Sequence, residues 1–132
     1  MSIDWEDRMS NVMDSALLLR NRNVIDLNFV NGSTIEVYVA ISPEERAIGL
    51  SSLSYLDLDG MLFIYETPSF TPFTVDKMEM DISISWYRAD GTNIKTEVFE
   101  AGTKSPIFSP EPYSYVLETE ATFVPEFDLL IH

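Results

Sequence analysis

The sequence predicts a mainly β domain, a small sandwich or barrel with an N-terminal helix and one short helix near residues 43–49. Three observations carry this prediction. From residue 24 onward, apolar and polar side chains alternate with period two in short runs. Turn signals separate those runs, Asn31-Gly32 and Asp90-Gly91 among them. Apolar residues make up 45% of the chain and there is no cysteine, so a packed core rather than a disulfide framework must hold it together. At 132 residues, one domain over 1–132 is the simplest division, with the helix at about 3–20 and the β domain at about 24–131.

Residues 2–20 have helical spacing, with Trp5, Met9, Val12, Met13, Ala16 and Leu17 on one stripe. Ser2 or Asp4 can cap its start, and Arg20 and Arg22 suit the negative end of its dipole. VIDLNFV (24–30) and STIEVYVA (33–40) then flank Asn31-Gly32, which calls for a hairpin with a type I′ turn. In SPEERAIGL, Ser42 is an N-cap, Pro43 occupies the first helical position, Glu45 closes a capping box and Gly49 stops the helix. MLFIY (61–65) reads as a strand buried on both faces.

PFTVDKMEMDISISWYRADG (72–91) reads as one long strand with an irregularity. Met78, Met80, Ile82, Ile84 and Trp86 share one parity, opposite Glu79, Asp81, Ser83, Ser85 and Tyr87, whereas upstream Phe73 and Val75 have the other. The inward face therefore switches at Asp76-Lys77, which requires a bulge or a break. NIKTEVFE (93–100), YSYVLETE (113–120) and FDLLI (127–131) complete the expected strands.

Net charge is −14, from 22 acids and 8 bases. Such a surface repels phosphate, so a nucleic-acid partner is not expected. Solubility explains the acidity most simply. A basic protein partner and imitation of DNA are the alternatives, but the acids are scattered, eight in residues 1–50, nine in 51–100 and five after that. Apolar runs such as Met61 to Tyr65 are too short to cross a bilayer, so no membrane is expected. The opening MSIDWEDR is acidic where a secretory signal is basic, pointing to the cytoplasm or a virion.

PEERAIGL, GMLFIY, ISISWYRADG and YSYVLE, in that order, resemble the bacterial family known as domain of unknown function 192. The resemblance covers about residues 24–120 and implies a small β-sandwich or barrel with no settled activity. Where the family pattern has F-W-M-K-N-T, this chain has Phe73-Thr74-Val75-Asp76-Lys77-Met78, so any polar site there is altered.

The only histidine is His132, so neither a Ser-His-Asp triad nor a histidine metal site is available. No catalytic residue, cofactor or metal is expected. Counting from Tyr55, Asp57, Asp59, Gly60 and Glu66 fall at positions 3, 5, 6 and 12 of a calcium loop. Position 1 is tyrosine and MLFIY is a strand, so the match reads as accidental. Phe73, Asp76 and Lys77 remain as a ligand or enzyme site, and Asp76-Lys77 is expected to be a solvated kink. The leading functional expectation is a non-enzymatic structural or accessory subunit of an assembly such as a phage particle. Trp5, Met9 and Met13 would contact its protein subunits.

Overall fold

The computed structural model describes residues 23–50, 57–125 and 127–131. The expected N-terminal helix, with Trp5, Met9 and Met13, lies outside the described residues. The elements are β1 (Val24–Asn28), β2 (Thr34–Ala40), α1 (Pro43–Ile48), β3 (Gly60–Ser69), β4 (Ile82–Tyr87), β5 (Asn93–Phe99) and β6 (Tyr113–Glu120). They build one six-stranded mixed sheet in the order β1-β2-β3-β6-β4-β5. β1 and β5 form its edges, so the described residues make an open, layered structure rather than a closed barrel.

β1 and β2 form the expected hairpin, but its turn differs. Phe29 N–H donates to the Ser33 carbonyl at 2.9 Å and Gly32 N–H to the Phe29 carbonyl at 3.0 Å, leaving Val30, Asn31 and Gly32 as a three-residue loop. Gly32 takes the left-handed conformation, φ 91°, as a bulge after a type I turn requires. The Asn31 side chain braces the loop by accepting from both Ser33 N–H (3.0 Å) and Ser33 Oγ (2.6 Å). That local bond shifts the turn away from type I′.

α1 is held at both ends as its sequence dictates. Ser42 Oγ accepts from Glu45 N–H at 3.1 Å, Glu45 Oε1 accepts from Ser42 N–H at 3.0 Å, and Gly49 N–H closes on the Glu45 carbonyl. The helix lies on the crossover from β2 to β3, the sheet's parallel pair, with Val37 opposite Gly60 and Ala40 opposite Phe63. A parallel pair needs such a crossover. β3 starts on glycine because it runs against β6: a Cβ on Gly60 would collide with the Glu118 carbonyl and the Thr119 methyl.

The stretch 72–91 breaks rather than bulges. Phe73 bridges Ile107, Met78 N–H turns back to the Val75 carbonyl at 3.1 Å, and β4 begins at Ile82. Val75 and Met78 are both buried while Asp76 and Lys77 between them are exposed, so the turn resolves the conflict of faces.

Both faces of the sheet are covered. Met61, Phe63, Ile82, Ile84, Trp86 and Val116 form the core on one face. Leu27, Phe29, Val37, Leu62, Tyr87, Leu117 and Leu129 form it on the other. Ser83, Ser85 and Tyr87, expected opposite the core, are therefore buried as well. The C-terminal segment covers them, its Pro125 carbonyl accepting from Ser85 Oγ (3.3 Å) and its Phe123 carbonyl from Thr119 Oγ1 (2.7 Å). The expected strand 127–131 is a single bridge, Leu129 to Phe29. Val30 N–H donates to the Asp128 carbonyl and Leu130 N–H to the Asn28 carbonyl across this bridge, while Leu129 N–H donates to the Gly91 carbonyl on the other side.

Candidate functional site

α1 and the segment 71–78 stand over the same face of the sheet, and a cavity of about 360 Å³ lies between them. Pro43, Arg46, Ala47 and Gly49 supply the helical side, and Thr71, Pro72, Phe73, Thr74 and Met78 the opposite wall. Phe63, Tyr65 and Glu118 come from the strands beneath.

The wall is pinned in place. Phe73 and Ile107 exchange two backbone hydrogen bonds of 2.8 Å, and Tyr113 OH donates to the Thr71 carbonyl at 2.5 Å. Phe73 meets Phe63 and Tyr113 edge-on, at ring-centre distances of 5.5 and 6.0 Å. Tyr65 and Tyr113 meet likewise at 5.1 Å. These are favourable geometries for aromatic pairs. A second depression of about 450 Å³ adjoins the first through Pro43, Arg46, Tyr65 and Thr71 and extends along Glu66–Ser69.

Among the described residues, Arg46 and Glu118 are the charged ones that line the first cavity. The Arg46 guanidinium lies over the Tyr65 ring, 4.4 Å from its centre. Its Nη1 donates to the carbonyls of Ile41 and Ile64. Burial, above all, raises the Tyr65 phenol far beyond its ordinary range, and Arg46 only partly offsets this.

Glu118 is the unusual group. On β6 it faces Met61 of β3 and Ile84 of β4, both apolar and both in the core. It is 1% exposed, and desolvation pushes its carboxyl up to about 8. A buried carboxylic acid with that affinity for its proton is mostly neutral at pH 7. Among the described residues, three buried side-chain oxygens lack a hydrogen-bond partner: Ser83 Oγ, Tyr87 OH and Glu118 Oε1. Of these only Glu118 lines the cavity.

Of the residues singled out by sequence, Phe73 reaches the site, whereas Asp76 and Lys77 sit on the exposed turn and do not line it. The calcium-loop carboxylates are otherwise occupied. Asp57 accepts from Tyr38 OH at 2.5 Å, and Asp59 accepts from Glu36 N–H at 2.8 Å. Among the described residues no group of three or more acids or histidines gathers as a metal site. Glu118 was not singled out, although a signal for it exists. It shares parity with Val116, so once both faces of β6 are covered its carboxyl must enter the core.

Fold and site together define an open-sheet, mainly β domain with a ligand-sized cavity between its crossover helix and a facing strap. The chain belongs to the DUF192 family, described as "Uncharacterized ACR", whose family model matches residues 27–131. Among solved structures it is similar to a chain from Sinorhizobium meliloti 1021 described as a candidate transcription regulator. The TM-score there is 0.68 and the identity 24%, over 80% of this chain and 89% of that one. It is also similar to a protein of unknown function from Novosphingobium aromaticivorans DSM 12444, with TM-score 0.64 and 20% identity, over 75% of this chain and 73% of that one. At these identities the likeness is one of fold. Comparison with curated proteins finds no match. No helix among the described residues is long and apolar enough to cross a membrane.

Proposed function

We propose that this protein is a binding module that takes a small organic ligand into the cavity between α1 and the segment 71–78. The observation that carries this reading is Glu118, a residue of the cavity lining whose buried Oε1 has no hydrogen-bond partner among the described residues. Leaving such a group unsatisfied costs about 1–3 kcal/mol, and a ligand that meets it recovers that energy. The surroundings support the same reading. A volume of about 360 Å³ and aromatic walls, with the polar side chains of Arg46, Thr71, Thr74 and Glu118 among them, suit a small-molecule site.

Asp76 and Lys77 lie apart from this cavity, so an activity built on them gains no support from it. A structural role in an assembly rests on Trp5, Met9 and Met13, outside the described residues. The regulatory description of the Sinorhizobium chain would, if it meant contact with DNA, meet the obstacle of a −14 net charge.

The test is a fragment screen read by backbone amide NMR. Hits should move the resonances of Arg46, Tyr65, Phe73 and Glu118 together while leaving Asp76 and Lys77 in place. A screen in which no fragment perturbs the cavity residues would overturn the proposal.

A further inference from the structure

The geometry points to a class of ligand: an organic cation with a flat amidinium or guanidinium head, seated on the Glu118 carboxylate between the aromatic walls. This rests on the binding reading above and adds the charge of the ligand to it.

Three features lead here. The first is that Glu118 has no counter-ion of its own among the described residues. Its cross-strand neighbours are Met61 and Ile84, and Arg46, the cation on the cavity lining, is committed to the Tyr65 ring and to the Ile41 and Ile64 carbonyls. Burial alone accounts for the high proton affinity of Glu118, with no lowering by Arg46. A carboxylate with an unpartnered oxygen beside a cavity suits a planar cation that donates hydrogen bonds to it.

The second feature is the walls. Phe63, Tyr65 and Phe73 present aromatic surface on the cavity, which favours a flat, weakly hydrated cation over a strongly hydrated ammonium. The third is the field of the whole molecule. A net charge of −14 attracts cations and repels anions at the cavity mouth.

The neutral acid fits this scheme. Among the described residues, Arg46 from α1 and Tyr65 from β3 are the other titratable groups on the lining, and Tyr113 from β6 packs behind Tyr65. Both phenols are raised, so they stay neutral at ordinary pH. When a cation enters, Glu118 gives its proton to solvent and becomes the anion of the pair. Binding and proton release are then one event.

The experiment uses three probes of one shape and three charges: benzamidine, benzamide and benzoate. Each is titrated into the full-length protein by calorimetry at pH 7 in phosphate and in Tris, with amide NMR locating the site. Benzamidine should bind in the cavity at least tenfold more tightly than the other two. Its heat should differ between the buffers by the release of about one proton. Glu118→Gln should cost benzamidine at least tenfold and remove the buffer dependence of its heat, the variant's fold checked by the same NMR spectrum.

If benzamide or benzoate occupies the cavity as tightly as benzamidine, the cation is wrong but the binding module stands. Benzamidine bound with no buffer dependence, or bound equally by the Gln variant, would also overturn the role given to Glu118. If none of the three binds while fragments of other chemistry do, the cationic class falls by itself. If nothing of any chemistry binds, both readings fall.

Discussion

Arg46 lies 4.4 Å over the centre of the Tyr65 ring, on the same cavity as Glu118 yet not as its counter-ion. Among the described residues, the cation on the cavity lining is therefore held on an aromatic face and two backbone carbonyls, while the buried Glu118 Oε1 has no partner. Several measurable consequences come from that arrangement and from the elements that frame it.

Replacing Glu118 by Gln should stabilise the protein at neutral pH. The folded carboxyl titrates at about 8 against an ordinary value of 4.5. Between those values the folded state holds a proton that the unfolded state has released, so this group's contribution falls as pH rises. By pH 7 the loss is on the order of 3 kcal/mol. Urea denaturation of both proteins at pH 5 and pH 8 checks this. The variant's advantage should grow with pH, and an advantage that is flat or shrinks would contradict the burial of an isolated acid.

Arg46→Lys should behave as a loss rather than a conservative change. An ammonium cannot lie flat on Tyr65 while donating to the Ile41 and Ile64 carbonyls. Loss of the ring contact alone is worth about 0.5–1 kcal/mol. A melting temperature equal to that of the wild type would show that the stacking carries no weight.

Gly60→Ala should destabilise by about 1–3 kcal/mol, the usual cost of overpacking, because the new methyl meets the Glu118 carbonyl and Thr119. NMR shifts of the variant should spread along β6 and into the cavity lining. Shifts confined to the start of β3 would mean that the two backbones part easily there.

Ser42→Ala removes the cap of α1 and should cost about 1 kcal/mol. Amide hydrogen exchange should quicken over Pro43–Ile48 while the β3–β6 ladder keeps its protection. Uniform quickening would mean instead that the helix and the sheet open as one unit.

Local signals were legible in the sequence wherever one short stretch decides the structure. Ser42, Pro43, Glu45 and Gly49 act within a single turn of chain, and α1 forms where they place it. The limits of β6 coincide with YSYVLETE for a similar reason: period-two patterning ends at turn residues on both sides. What depended on distant partners was not legible. Asn31-Gly32 promised a turn, but the bracing of Ser33 by Asn31 chose which one. The expected strand at 127–131 is reduced to one bridge, Leu129 to Phe29, just beyond the end of β1. At the site, the segment 73–78 was the right place with the wrong side chains. Phe73, Thr74 and Met78 line the cavity while the conspicuous charges Asp76 and Lys77 turn out on the break. Glu118 shares parity with Val116, but its burial also requires that both faces of β6 be covered, which no period-two pattern encodes.

The strand order has a bearing on how the molecule is made. β6 is inserted between β3 and β4, although those two are synthesised well before it. As the chain leaves the ribosome, β1-β2-β3 and β4-β5 can exist only as separate ladders, each with an open inner edge. The single sheet closes when residues 113–120 arrive and zip the two halves together, a long-range step of the kind that slows folding. Because Glu118 rides on that strand, the cavity beneath α1 lacks its buried acid until the central seam is complete.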